Sequence, residues 1–182
     1  MNAKINPSSI SLCPITDNDL EFLYKVYAST RSEEMAVTGW KSEAIDAFLR
    51  MQFRLQHTQY LQNNPRASFN VILVDKTPVG RLYVDRRADT VSVIDIALLS
   101  EFRQRGIGGG LMRNLAEEAD AKGLAMCLHV EMNNPILEFY KRLGFQTKGG
   151  HGIYLYMERE RSGLTKCNSS PTLPSTNTLS GF

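Results

Sequence analysis

The segment at residues 103–109, Arg-Gln-Arg-Gly-Ile-Gly-Gly, has the composition of a site that binds phosphate groups. It lies between an apolar run at residues 91–99 and an amphipathic run at residues 111–119. A glycine-rich turn between a strand and a helix exposes backbone N–H groups, and the helix dipole adds partial positive charge there. Two arginines beside the turn, Arg103 and Arg105, suit a pyrophosphate. The sequence therefore predicts that this loop binds a phosphorylated ligand.

Two other phosphate-binding loops fit this segment poorly. The Walker loop requires Gly-Lys followed by Ser or Thr, and that triplet is missing from the segment. The dinucleotide fingerprint requires Gly-x-Gly-x-x-Gly in a βαβ unit near the N-terminus, with an acidic residue about 20 positions later. Here three hairpin-type strands are predicted before the loop, which argues against a Rossmann domain.

Apolar periodicity predicts the elements that position this loop. Strands are predicted at residues 10–14, 69–74, 79–84, 91–99, 126–132, 145–147 and 153–157. The first helix has apolar positions at Leu20, Leu23, Val26 and Tyr27, and a polar stretch at residues 29–40 separates it from the second. The buried stripe of the second helix is predicted to be Ile45, Phe48, Leu49 and Leu55.

The third helix follows the glycine loop, and a short fourth helix begins near Asn134-Pro135. The order is then strand, two helices, three strands, helix, strand, helix, two strands. This order predicts a mixed α+β fold with helices on the faces of a sheet.

Composition limits the classes of protein to which the chain can belong. Its 182 residues, 42% hydrophobic and 22% charged, predict one domain at residues 10–160 and a disordered polar tail at residues 161–182. A net charge of +2 with scattered basic residues argues against nucleic-acid binding. The apolar runs are too short for a membrane span, and the N-terminus lacks the pattern of a signal peptide. Three widely spaced cysteines argue against a disulfide framework or a zinc site, and fit a cytoplasmic protein.

Two motifs resemble those of the GNAT superfamily of N-acetyltransferases. They are Arg103-x-x-Gly106-x-Gly108 and the segment at residues 134–145, which has the pattern Asn…Tyr-x-x-x-Gly-Phe. The resemblance covers residues 10–158. It implies a mostly antiparallel sheet that is splayed between its fourth and fifth strands, with acetyl-CoA as the co-substrate. It also implies that the pantetheine arm lies in this split and that asparagine contacts the cofactor. The cofactor-binding residues are then Ile96, Ala97, Leu98, Arg103, Gln104, Arg105, Gly106, Ile107, Gly108 and Gly109, with Asn133 and Asn134 both open as the asparagine.

The resemblance further implies transfer of an acetyl group to a primary amine by direct attack in a ternary complex. Tyr140 is the predicted general acid, because a phenol can pass its proton to a departing thiolate of similar basicity. The general base is harder to find. By side-chain alternation, the acceptor side of the fourth strand carries Ser92, Ile94 and Ile96, with no carboxylate. Asp95 is the candidate if a bulge turns it to that side.

Other candidates for the base stay open: Glu33 and Glu34 in a predicted loop between the first two helices, Glu131, and His129. Cys127 in an apolar strand is predicted to be a structural thiol and not the site of an acetyl-enzyme.

The acceptor cannot be read from the sequence, and a small molecule and a protein or peptide amine both remain open. Trp40 and Tyr60 are candidates for the acceptor pocket, whereas Arg81, Arg86 and Arg87 are predicted to form a solvated face. Two alternative functions are a non-catalytic acyl-CoA-binding module and a transferase of a longer acyl group. A homodimer is compatible with the resemblance.

Overall fold

The computed structural model of the chain describes residues 5–161 and contains one seven-stranded sheet with helices packed on both faces. The strands are β1 (Ile10–Pro14), β2 (Ser68–Val74), β3 (Thr77–Arg86), β4 (Thr90–Leu98), β5 (Ala125–Glu131), β6 (Gln146–His151) and β7 (Tyr154–Arg159). The α-helices are α1 (Leu20–Ala36), α2 (Ser42–Asn63), α3 (Ile107–Ala121) and α4 (Leu137–Arg142). The predicted order of elements is confirmed. Apart from Arg161, the predicted tail lies outside the described residues.

The sheet has the strand order β1-β2-β3-β4-β5-β7-β6, and only the β4–β5 pair is parallel. That parallel pairing is short, because it runs from Thr90 opposite Ala125 to Val93 opposite Leu128 and then ends. The remainder of β4 still pairs with β3 up to Leu98. The sheet is therefore splayed between β4 and β5, as predicted.

The two faces of the sheet have different cores. On one face, which we call the α3 face, Leu82, Val93 and Ile96 belong to a cluster with buried residues of α3. On the other, the α1 face, Leu23 of α1 and residues of α2 pack over β2 and β3. Alternation of side chains along each strand produces this division.

Helix α1 is longer than predicted, so the prediction of a polar connection beginning at residue 29 is wrong. The hydroxyls of Ser29 and Thr30 donate to the carbonyls of Val26 and Tyr27, three residues back, at 2.8 and 2.7 Å. These local bonds satisfy the polar side chains within the helix, and an ion pair between Arg31 and Glu34 at 2.9 Å adds to them. The connection to α2 is therefore only residues 37–41.

The predicted buried stripe of α2 is wrong at Leu55, whose surface is 56% exposed. The buried residues of this helix are Leu49, Phe53 and Tyr60. At 3.6 residues per turn, Leu55 lies about 120° around the helix from Leu49 and thus faces away from the sheet. No helix among residues 5–161 is both long and apolar enough to cross a membrane.

Candidate active site

The glycine loop joins the end of β4 to α3 and leaves the first turn of that helix open. Gln104 and Gly106 both have positive φ, 59° and 85°, and Gly106 is the N-cap of α3. Gly106 has no side chain to cap the helix, and its carbonyl accepts the first helical hydrogen bond, from Gly110 at 2.8 Å. The N–H groups of residues 107–109 therefore have no partner within the helix. They form, together with the helix dipole, a site suited to an anion.

The side chain of Arg103 turns away from this open turn. Its Nε donates to the carbonyl of Leu98 at 3.0 Å, and its Nη2 donates to the carbonyl and hydroxyl of Ser29 at 2.9 and 3.1 Å. The expectation that both arginine side chains suit a pyrophosphate therefore fits Arg103 poorly. Burial lowers the pKa of this guanidinium.

Arg105 differs from Arg103 in this respect. Its guanidinium lies 5.4 Å from the centroid of the Phe102 ring, and its Nε is buried without a hydrogen-bond partner among residues 5–161. A buried donor that no protein group satisfies is costly unless a ligand or water accepts its hydrogen. Of the two arginines, Arg105 is therefore the better placed to meet a phosphate.

The split beside this loop exposes one edge of β4. Ile96, Ala97 and Leu98 pair with β3 on one side, and in the described part of the chain no strand pairs with their other edge. A split of this kind offers backbone donors and acceptors to an extended ligand. The carbonyl of Leu98 is already used by Arg103.

A β-bulge in β4 changes which side chains face the acceptor side. Tyr83 of β3 pairs with Asp95 and Val84 pairs with Val93, so Ile94 is the extra residue. As a result Ile94 packs with Tyr60 and Tyr83 on the α1 face, whereas Ile96 lies in the core of the α3 face. The predicted regular alternation, with Ile96 on the acceptor side, is wrong because of this bulge.

The bulge brings Asp95 to the α1 face, where it meets Arg81. Their side chains are 0% and 1% exposed, and Asp95 Oδ2 is 2.6 Å from Arg81 Nη2. Arg81 also donates to Gln56 of α2 at 3.2 Å, and its guanidinium lies 5.5 Å from the centroid of the Tyr83 ring. The prediction that Arg81 belongs to a solvated face is therefore wrong.

The other two arginines of that predicted face form ion pairs. Arg86 pairs with Glu118 of α3 at 2.9 Å, and Arg87 pairs with Asp85 at 2.7 Å. Both arginine side chains are partly exposed.

Tyr140 lies in α4 and is almost fully buried, with 1% of its surface exposed. Its ring is flanked by those of Phe139 and Phe145, at centroid distances of 5.8 and 5.9 Å. Burial raises the pKa of this phenol strongly, and the negative charge of Asp95 raises it further. Tyr140 is therefore protonated at neutral pH and can only donate its proton to a strongly basic group.

The two asparagines before α4 have different environments. Asn134 is buried, and its Oδ1 accepts a hydrogen bond from the N–H of Ile136 at 3.0 Å. Asn133 is exposed. Asn134 thus stabilises the turn that leads into α4, which begins three residues later than Asn134.

The remaining candidates for the base lie around α1 and β5. Glu33 and Glu34 are on the last turns of α1, so their predicted position in a loop is wrong. Glu131 at the end of β5 lies 3.7 Å from Arg31 of α1 and 3.5 Å from the hydroxyl of Tyr154. His129 is half-buried against Tyr156, with 5.1 Å between ring centroids, and burial lowers its pKa.

The structure also gives the positions of Cys127 and of Trp40 and Tyr60, the two aromatic candidates for the acceptor pocket. Cys127 is buried in β5, and burial raises the pKa of its thiol, which disfavours the nucleophilic thiolate. Trp40 is 52% exposed and packs edge-on against Phe48, whereas Tyr60 is buried on the α1 face.

Sequence reasoning missed two residues of this region. Gln56 gives no signal in the sequence beyond its helical position, and Arg81 looks like any surface arginine of a hairpin. Only the partner on the next strand explains why Arg81 is buried.

Comparisons with known proteins agree with this geometry. A model of the family described as the acetyltransferase (GNAT) family matches residues 27–145. The fold is similar to that of the PaiA N-acetyltransferase from Thermoplasma acidophilum, solved in complex with coenzyme A. That protein is 21% identical with a TM-score of 0.62, and the match covers 84% of this chain and 99% of that one.

Two further structures share the fold. For a histone acetyltransferase HPA2 and related acetyltransferase from Corynebacterium glutamicum, the identity is 20% and the TM-score 0.60, over 87% of this chain and 99% of that one. For the ribosomal-protein-S18-alanine N-acetyltransferase from Escherichia coli, the identity is 14% and the TM-score 0.57, and the match covers 88% of this chain and 99% of that one. Comparison with curated protein sequences gives no significant match.

Proposed function

The chain belongs to the GNAT family of acetyltransferases, and on that premise we propose that it acetylates a primary amine by direct attack in a ternary complex. It is an acyltransferase, and acetyl-CoA is its co-substrate. The observation that carries the proposal is the open N-terminus of α3, which the loop at residues 99–106 joins to the end of β4 beside the split in the sheet.

The start of α3 fits the diphosphate of coenzyme A. The N–H groups of Ile107, Gly108 and Gly109 would donate hydrogen bonds to its oxygens, and Gln104 and Gly106 give the loop its left-handed turns. The buried Nε of Arg105 supports the same assignment, because it has no hydrogen-bond partner among the described residues. Backbone groups of Ile96 and Ala97 at the open edge of β4 would hold the pantetheine arm. Bound acetyl-CoA would supply the acyl group as a thioester.

Tyr140 is the proposed general acid. As the new bond between nitrogen and the carbonyl carbon forms and the carbon–sulfur bond breaks, the phenol would donate its proton to the departing sulfur. The raised pKa keeps the proton on the phenol at neutral pH. Transfer to sulfur remains matched because the same burial makes a thiolate that develops in this site more basic. The rings of Phe139 and Phe145 flank the phenol ring, and only 1% of the surface of Tyr140 is exposed.

Asp95 is the proposed base, acting through water. An amine with a pKa of about 10.4 costs roughly 4–5 kcal/mol to neutralise at pH 7, so a carboxylate near the acceptor would help to remove the proton. The bulge at Ile94 supports the assignment, because it turns Asp95 toward the α1 face. Arg81 would hold the carboxylate in its charged form and in a fixed orientation.

A test of this function measures the release of free coenzyme A thiol from acetyl-CoA across a panel of primary amines. The panel includes small amines, amino acids and peptides with a free N-terminus. We expect turnover with at least one amine and a much lower kcat for Tyr140→Phe. Tight binding of coenzyme A without turnover on any amine would contradict the enzyme and favour a binding module. Mass spectrometry of coenzyme A esters that co-purify with the protein would identify the acyl group.

A further inference from the structure

One arginine side chain joins three elements of the candidate active site. Arg103 opens the glycine loop, and its guanidinium bonds both the carbonyl of Leu98 at the end of β4 and the carbonyl and hydroxyl of Ser29 in α1. Ser29 and Arg103 are 74 residues apart in the sequence. The planar guanidinium is suited to this, because its N–H groups point in fixed directions toward several acceptors at once.

The part of α1 that follows Ser29 reaches the other side of the split. Arg31, two residues later, lies 3.7 Å from Glu131 at the end of β5. The same helix is therefore connected to the end of β4 through Arg103 and to the end of β5 through Arg31. Between these two connections lies the gap in which β4 and β5 no longer pair.

We propose that Arg103 is a positioning residue for the acceptor amine, which fixes α1 against the end of β4, and that its side chain does not bind the diphosphate. This inference rests on the proposed function, because the proposed base, Asp95, lies on the α1 face and so puts the amine on that side of the sheet. To meet a phosphate, Arg103 would have to leave three oxygen acceptors, two of them backbone carbonyls. The buried Nε of Arg105, by contrast, has no hydrogen-bond partner within residues 5–161.

The test compares Arg103→Met with Arg105→Met as the matched control. Calorimetry gives the Kd for coenzyme A, and steady-state kinetics give KM and kcat for the amine of the panel that the unchanged enzyme uses best. For Arg103→Met we expect a Kd for coenzyme A within about twofold of the unchanged enzyme and an amine KM raised about tenfold or more. Arg105→Met should show the reverse pattern. Arg103→Lys should restore part of the loss, since an ammonium can still donate to one or two of the oxygens.

A readout without turnover separates this inference from the proposed function. Hydrogen exchange of the amides at residues 26–36 measures how firmly α1 is held, and it needs no acceptor. We expect faster exchange there in Arg103→Met than in Arg105→Met, with circular dichroism showing that both variants fold. Unchanged exchange in α1, or a loss of coenzyme A affinity as large as that of Arg105→Met, would overturn the inference. Failure of every amine in the panel would instead count against the proposed function.

Discussion

Arg81 and Asp95 form an ion pair between β3 and β4, with 2.6 Å between Nη2 and Oδ2, and neither side chain is more than 1% exposed. The bulge at Ile94 makes this pair geometrically possible, since a regular strand would turn Asp95 to the α3 face. Bulk solvent screens a pair buried this deeply only weakly. Each of the two buried charges is therefore stabilised mainly by the other.

Loss of one partner of this pair should destabilise the fold strongly. Arg81→Met leaves a buried carboxylate without its counter-charge, and we expect the free energy of unfolding to fall by about 3–5 kcal/mol. Urea unfolding at pH 7 measures this free energy. The double variant Arg81→Met/Asp95→Leu should be clearly more stable than the single variant, because it removes both charges.

The matched control for that experiment is Arg86→Met. Arg86 pairs with Glu118 at 2.9 Å, but its side chain is 38% exposed. Removal of such a surface pair should cost about 1 kcal/mol or less. Equal losses for Arg81→Met and Arg86→Met would show that solvent screens the Arg81–Asp95 pair as it screens a surface pair.

Removal of the Tyr140 hydroxyl should affect the chemical step and leave cofactor binding intact. General acid catalysis typically contributes about 10²–10⁴-fold, so Tyr140→Phe should lower kcat by that order while the Kd for coenzyme A stays nearly the same. Steady-state kinetics with the amine that the unchanged enzyme uses best give kcat, and calorimetry with coenzyme A gives the Kd.

Tyr24→Phe is the matched control for Tyr140→Phe. Tyr24 belongs to the cluster between α1 and α2, and its hydroxyl donates to the carboxylate of Asp46 on α2. Its loss should lower stability by about 1 kcal/mol without changing kcat. If Tyr140→Phe retains the kcat of the unchanged enzyme, the phenol is not the acid.

Acidic pH should lower the stability of the fold, in part through protonation of Glu118. Hydrogen bonds from Arg86, followed by Lys122, lower the pKa of this carboxyl from about 4.5 to about 2. Because the folded-state pKa is the lower one, the contribution is present above the unfolded-state pKa and is lost as the pH falls from about 4.5 to about 2. Since both partners of the pair remain partly exposed to solvent, which screens their charges, we expect a contribution of about 1 kcal/mol or less.

Urea unfolding at pH 7 and pH 3 checks this. Glu118→Gln should be less stable than the unchanged protein at pH 7, and the difference should shrink at pH 3. Glu117→Gln, on the exposed side of the same helix, is the control and should not lower the stability at pH 7 as Glu118→Gln does. A difference for Glu118→Gln that is the same at both pH values would exclude the ion pair as its source.

Local signals were enough to predict the order of the elements and the loop before α3. Gly106, with φ of 85°, and Gly123, with φ of 63°, mark the two ends of α3 because only glycine adopts such angles at little cost. The split between β4 and β5 came from the resemblance to a family, since no property of residues 90–98 indicates where pairing ends. The bulge at Ile94 was not predictable, because it depends on the register between two strands.

The errors in α1 and on β3 have the same kind of cause. Residues 29–36 look polar, yet their hydroxyls bond within the helix and Arg103 bonds Ser29 from 74 positions away. Arg81 looks exposed until Asp95 is placed beside it. Contacts between residues that are distant in the sequence decided both cases.

In the proposed function, the affinity for coenzyme A depends most on hydrogen bonds from the main-chain N–H groups that follow Gly106 to the diphosphate. The direct measurement is the Kd for coenzyme A of Gly106→Leu beside that of Gly123→Leu, by calorimetry. The two glycines have positive φ at opposite ends of α3, and a Cβ at either would meet nothing within 4 Å. Each substitution should therefore cost about 1–2 kcal/mol of stability from backbone strain. We predict that only Gly106→Leu weakens coenzyme A binding, by about tenfold or more. Equal affinities for two folded variants would contradict the central claim.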